Sequence, residues 1–188
     1  MEALITLLPG DGVGPAVTAA ARAVLEAVAD RHGHRLTFSK QLIGGAAIDA
    51  GGDPLPPSTV ASCRDSDAVF LGAVGGPKWS DPNAAVRPEQ GLLKIRAELG
   101  LYANLRPVRV IDDLVDASPL KADVLRGVDL IVVRELTGGI YFGDKSRDAT
   151  SATDVCTYHV HEIERIVRVA ATLAGQRRGK LCSVDKAN

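Results

Sequence analysis

This sequence predicts an α/β fold built on a largely parallel sheet, and three observations carry that reading. Short apolar runs with no polar alternation, at residues 3–8 and 67–74, read as strands buried on both faces. Segments with helical spacing fall between them, and the strands close on turn residues such as Pro9-Gly10. Strand and helix alternate, and a helix between strands is the crossover that parallel pairing requires.

Taken in order, residues 3–8 form a first strand, and Pro15 then opens an alanine-rich helix running to about residue 31. Residues 36–43 read as a second strand and 56–65 as a helix. The strand at 67–74 ends in the glycine-rich Gly72-Ala73-Val74-Gly75-Gly76-Pro77. After a helix at 88–99 the pattern changes to strand-like pieces at 101–110, 128–133 and 139–143, then a mixed segment at 154–161. A second subdomain is expected to begin near residue 100, dividing the chain into 1–100 and 101–188. Residues 162–176 form an amphipathic helix with Ile163, Ile166, Val167, Ala170 and Leu173 on one face, and 180–184 the next strand. Such a strand normally feeds a loop and a covering helix, so the chain reads as incomplete.

With 188 residues, 46% of them hydrophobic and 24% charged, the chain has enough apolar material for a core. A net charge of -1 and a pI near 6.4 give no broad basic field for nucleic acid or an anionic membrane, which leaves a small-molecule partner. Cys63, Cys156 and Cys182 lack metal or CxxC spacing and read as reduced thiols without a role. Glu2 stands where a signal peptide would be basic, and the apolar run there is too short for export or a membrane span, so a cytoplasmic location is expected.

Three sets of residues could carry chemistry. Gly10-Asp11-Gly12-Val13-Gly14 lies between strand and helix, where glycines let backbone approach an anion or simply make a tight turn. It is not a dinucleotide fingerprint: the third glycine comes one position early, and the second strand ends in Lys40-Gln41-Leu42-Ile43-Gly44 without an acidic residue. Arg96, Arg106 and Arg134 form the second set; converging at strand ends they would select a di- or tricarboxylic acid, and singly each is an ordinary surface or ion-paired residue, Glu135 being one candidate partner for Arg134. Tyr141, among the glycines of 137–143, and Lys186 are the third, either proton-transfer groups or a packed ring and a solvated amine. His32 and His34 sit in a charged turn, and His159 and His161 alternate on an expected strand, as surface residues.

In order along the whole chain, Leu8-Pro9-Gly10-Asp11-Gly12-Val13-Gly14-Pro15, Gly44-Gly45-Ala46-Ala47-Ile48-Asp49, Gly75-Gly76-Pro77-Lys78-Trp79, Arg87-Pro88-Glu89-Gln90-Gly91-Leu92-Leu93, Tyr102-Ala103-Asn104-Leu105-Arg106-Pro107, the run from Arg134 to Gly143, and Ser183-Val184-Asp185-Lys186-Ala187-Asn188 are similar to the blocks of one family. The chain resembles the N-terminal half of the β-decarboxylating dehydrogenases, which include the isopropylmalate, isocitrate, homoisocitrate and tartrate enzymes. That resemblance implies an isopropylmalate/isocitrate dehydrogenase-like α/β fold, with 1–100 as part of a cofactor-side domain and 101–188 as part of a dimer-forming domain whose arm, 154–161, interlocks two subunits. It implies NAD-dependent oxidative decarboxylation of a 2-hydroxy dicarboxylic acid. Arg96, Arg106 and Arg134 would hold carboxylates, Tyr141 would act as general acid, and Lys186 would assist proton removal across the dimer interface. Asn188 would also contact substrate. Val13, Gly75, Gly76, Pro77, Lys78, Trp79 and Glu89 would contact NAD. Glu89, Leu92 and Leu93 would line the pocket for the substrate's side group, and an apolar Leu-Leu pair suits the isopropyl group of 3-isopropylmalate, a leucine-biosynthesis substrate. Mg2+ or Mn2+ would be held by aspartates beyond Asn188, so the chain by itself is expected to be inactive, with an exposed sheet edge. The alternatives are a homoisocitrate or tartrate enzyme, or a non-catalytic binding and dimerisation module.

Overall fold

Glu2–Gly10 (β1) runs between Arg35–Lys40 (β2) and Ala68–Ala73 (β3) in an all-parallel sheet ordered β2-β1-β3. Leu4 stands opposite Thr37, and Leu8 opposite Leu71. Every residue of β1 from Ile5 to Gly10 is buried, which is why this strand shows no polar alternation in the sequence. The computed structural model describes residues 1–81 and 84–184, and the chain divides into two units, Met1–Gly100 and Leu101–Asn188.

In the first unit, Gly14–His32 (α1) has Pro15 in its opening turn and ends at Gly33, whose φ of 66° supplies the left-handed cap. Gly45–Gly51 (α2), Pro57–Asp65 (α3) and Pro88–Glu98 (α4) follow. Pro57 and Pro88 each occupy the first helical position, where a missing N–H costs nothing. At α4 the chain is also fixed by the Arg87 N–H donating to Gln90 Oε1 at 3.0 Å. The core is a cluster of Leu8, Ile43, Leu55, Val60, Cys63 and Ile95, with Val69, Leu71, Val74, Leu92 and Leu99 packed against it. Two hydroxyls seal its margin: Thr59 donates to the Leu42 carbonyl at 2.8 Å and Thr6 to the Ser62 carbonyl at 3.0 Å.

The second unit is built on an antiparallel pair, Ala103–Arg109 (β4) with Asp129–Glu135 (β5), joined through a 3-10 turn at Asp112–Ala117 and the single-turn Ala122–Leu125 (α5). Among the described residues β4 pairs only with β5, so Pro107 sits on an edge strand, where its lack of an N–H is tolerated. Lys145–Arg147 (β6) and Ala152–Asp154 (β7) make a short hairpin, and Val160–Gly175 (α6) lies against β5.

Several local expectations change. The second strand stops at Lys40, three residues early, because Gly44 turns the chain into α2, a helix too short and glycine-flanked to show helical periodicity. Residues 139–143 are not a strand; Gly139–Tyr141 is a 3-10 turn entered at a Gly139 φ of 73°. Residues 180–184 form no ladder with any described strand and are exposed, since a strand needs a neighbour for its backbone groups. The 154–161 segment leaves β7 and enters α6, so His159 caps that helix and His161 lies inside it, their rings stacked at 5.7 Å instead of alternating along a strand. On α6, Ile163 and Val167 are half exposed, so the helix packs through a narrower stripe than its apolar residues cover.

Leu55 is wholly buried and Val24 is 63% exposed. Leu55→Ala is expected to lower unfolding free energy by about 2–5 kcal/mol and Val24→Ala to change it by less than about 0.5 kcal/mol. Urea unfolding of both variants checks the contrast, and equal effects would contradict the placement of the core.

Candidate functional site

On the first unit, the glycines of the β1–α1 turn answer a packing demand. A Cβ at Gly10 or at Gly14 would overlap the backbone of Ala73 at the end of β3, and Gly10 has a φ of 69°. The turn's acid, Asp11, is 3% exposed. Its Oδ2 accepts the N–H groups of Gly45 at 2.7 Å and Gly75 at 2.8 Å, and its Oδ1 accepts that of Ala46 at 2.7 Å. A carboxylate of the chain itself thus takes the first N–H donors of α2.

Asp11 reaches the loop of residues 75–79, for which the family resemblance implies contact with NAD. Gly75, with a φ of 94°, and Gly76 present backbone without side chains, and Pro77–Trp79 forms a 3-10 turn. Lys78 donates to Asp49 Oδ2 at 2.6 Å and Trp79 Nε1 to Asp49 Oδ1 at 3.3 Å. The Lys78 hydrogen bond holds the Asp49 carboxyl below the usual carboxylate range, against a smaller opposing effect of burial. The Trp79 ring lies on Gly45, where a Cβ would collide with it. Glu89 is exposed at the start of α4, its Oε1 2.8 Å from where a Gly75 Cβ would stand, and Val13 is exposed at the cap of α1. Glu89 thus stands beside the bare backbone of Gly75, and Trp79 beside that of Gly45. Of the pocket pair, Leu92 packs on the core and Leu93 is half-buried beside it on α4; Arg96 is half-buried in the last turn of that helix.

On the second unit, the register of β4 and β5 places Asn104 opposite Arg134 and Arg106 opposite Val132. Arg106 and Arg134 therefore share a face as diagonal neighbours. Arg106 Nε donates to Asn104 Oδ1 at 2.8 Å, and the Arg134 guanidinium lies over the Tyr141 ring at 5.1 Å. Tyr141 is half exposed, so its phenol is open to a ligand. Two guanidiniums and a phenol stand together there, a set that can bind a dianion and move a proton.

Glu135 does not pair with Arg134, because successive residues of a strand face opposite ways. It turns to the other face and accepts from the Gly138 N–H at 2.8 Å, the Thr137 hydroxyl at 2.8 Å, the Thr137 N–H at 2.9 Å and Arg165 of α6 at 3.0 Å. Burial by itself raises the Glu135 carboxyl, but these donors outweigh it and hold it below the usual range. The Tyr158 ring closes on Gly138 and Gly139, where any Cβ would collide with it. Glu135, Arg165 and Tyr158 thus fix the turn that carries Tyr141. The sequence did not single out Arg165 or Tyr158; a charged residue on the packing stripe of α6 was the available signal for the first. A cleft of about 360 Å3 lined by Leu105, Arg165 and Leu173 belongs to this opposite face.

Lys186 and Asn188 lie outside the described residues. Among the described residues, no group of three or more His, Cys, Asp or Glu is placed to hold a metal. Cys63 is buried, which pushes its thiol up and makes it unreactive, while Cys156 and Cys182 are exposed.

A family model described as isocitrate/isopropylmalate dehydrogenase matches residues 4–188. A curated 3-isopropylmalate dehydrogenase from Rhodopirellula baltica is 56% identical over 192 residues, covering 100% of this chain and 54% of the relative. Another from Bacillus caldotenax is 59% identical over 188 residues, covering 98% of this chain and 51% of the relative. This chain spans about half the length of the curated relatives it matches. The isocitrate dehydrogenase of Methylococcus capsulatus superposes with a TM-score of 0.74 at 30% identity, over 93% of this chain and 48% of its own. The apo β-decarboxylating dehydrogenase of Thermococcus kodakarensis does so with a TM-score of 0.63 at 31% identity, over 95% and 47%.

Glu135 has a depressed pKa in the folded state, so its contribution to stability is present above the unfolded carboxyl pKa and is lost as pH falls through the folded one. The stability difference between the wild type and Glu135→Gln is expected to be full at neutral pH and to shrink as pH falls from about 5 toward 3. Urea midpoints at several pH values measure it; a difference that grew on acidification would reverse the sign assigned here.

Proposed function

Because this chain belongs to the isocitrate/isopropylmalate dehydrogenase family, we propose that it is the N-terminal half of an NAD-dependent enzyme that oxidatively decarboxylates 3-isopropylmalate to 4-methyl-2-oxopentanoate in leucine biosynthesis. The observation that carries the reading is the face shared by Arg106, Arg134 and Tyr141. Guanidinium forks match carboxylates in two parallel hydrogen bonds, so two of them neutralise a malate-type dianion and fix its orientation. The family resemblance assigns Leu92 and Leu93 to the side-group pocket, and their apolar side chains suit an isopropyl group and give no partner to a third carboxylate.

Val13, residues 75–79 and Glu89 would hold NAD, which would supply the hydride acceptor for the hydroxyl-bearing carbon. The chain's own part is to bind and orient the acid through Arg96, Arg106 and Arg134, and to return a proton from the Tyr141 phenol to the carbon that loses carbon dioxide. In this reading Lys186 assists removal of the hydroxyl proton across a homodimer interface and Asn188 is a substrate-binding residue. Exposed Val155, Tyr158 and Val160 support 154–161 as the dimer arm. Residues 1–100 serve the cofactor and 101–188 the dimer. Among the described residues no helix is long and apolar enough to cross a membrane, and exposed free Cys156 and Cys182 suit a reducing cytoplasm.

Calorimetric titration of the chain with 3-isopropylmalate and with isocitrate tests the substrate. Tighter binding of 3-isopropylmalate is expected, with Arg134→Met weakening it about tenfold to a hundredfold, the worth of one charge-assisted carboxylate pair. Tighter binding of isocitrate would overturn the assignment. Formation of reduced NAD is expected only when the chain is mixed with the C-terminal half of a relative and Mg2+; turnover by the chain alone would refute the dependence on residues beyond it.

A further inference from the structure

We propose that Asp11 is the positioning residue of the cofactor-side loop, a single buried carboxylate that locks residues 75–79 onto the start of α2 before any ligand arrives. The inference rests on the reading that this loop meets NAD. Three facts converge on it. Asp11 is 3% exposed, and all three of its side-chain hydrogen bonds, at 2.7 to 2.8 Å, come from backbone N–H groups on two chain segments remote in sequence. One oxygen, Oδ2, is shared by Gly45 and Gly75 and so joins the two segments directly. The same segments then meet a second time through Asp49, which takes Lys78 and Trp79, and through the Trp79 ring lying on Gly45.

These two ties are unequal. Lys78 and Asp49 are largely exposed, with side chains 65% and 42% accessible, and a solvated pair of this kind holds a loop weakly. The Asp11 tie is made by a buried carboxylate, 3% exposed, and is charge-assisted. Removing it would leave the buried Gly45 donor and the part-buried Gly75 donor without their shared acceptor. The loop would then lose its preset shape, and a ligand would have to order it on binding, which costs affinity.

Trp79 is the only tryptophan of the chain, so its emission reports on this loop alone. In Asp11→Asn the amide nitrogen cannot accept, and one N–H of the three is left opposed by another donor. Acrylamide quenching of Trp79 in the native state is expected to rise at least about twofold, and the affinity for NAD to fall about tenfold, the worth of one such hydrogen bond, while 3-isopropylmalate binding is unchanged. A purely structural role would lower the urea midpoint and leave native-state quenching as it was; that result overturns the proposal. Should the variant not fold, hydrogen exchange on the wild type decides: the Gly75, Gly45 and Ala46 amides are expected to be protected together, and a Gly75 amide exchanging at the rate of a free loop overturns the proposal. NAD added to the wild type distinguishes the underlying reading. Protection of Trp79 from acrylamide supports the loop as the cofactor surface, and no effect of saturating NAD on Trp79 sinks that reading while the exchange result still judges Asp11.

Discussion

A buried charge is costly unless it is hydrogen-bonded, and Asp11 takes three N–H groups that belong to the beginning of α2 and to the loop after β3. Its own backbone N–H donates to the Ala73 carbonyl at 2.7 Å, which sets the end of β1 beside the end of β3. Glycines at 10 and 14 are required because no side chain fits between those two strand ends. The turn after β1, the helix α2 and the loop of Trp79 are therefore one construction, and the surface assigned to NAD is its outer face.

The second unit solves a similar problem with a similar device. Glu135 and Arg134 are neighbours in sequence, and the pleat sends one to α6 and the other to the open face. Glu135 ties the following turn to Arg165, Tyr158 fills the space that Gly138 and Gly139 leave, and Tyr141 arrives beneath the Arg134 guanidinium. In both units a carboxylate fixes a glycine-rich turn, and the residues proposed to carry chemistry stand on or beside that turn. Such turns are held rigid by their supports, which is what a site needs if its groups are to be in place before the substrate.

The apolar character of β1, the proline-started helices and the ordered blocks from Leu8 to Gly143 were legible because each depends on residues near one another in the chain. The family and the α/β class follow from them. Less legible were α2, whose seven residues carry no period, and the 3-10 turn at Gly139–Tyr141, whose apolar Ile140, Tyr141 and Phe142 imitate a strand. Residues 180–184 look like a strand for the same reason: propensity is local, whereas a ladder needs a partner.

By itself, then, the sequence determined which residue types are available and in what order: two arginines and a tyrosine spaced along strand-like segments, and a glycine loop with an acid inside it. Only the tertiary structure decided who meets whom. It paired Arg134 with the Tyr141 ring and not with Glu135, and gave the acid of the glycine turn to Gly45 and Gly75, 34 and 64 residues away. The reason is that side-chain direction and hydrogen-bond partnership are set by strand register and by which donors burial leaves unsatisfied, and neither quantity is written in any short stretch of chain.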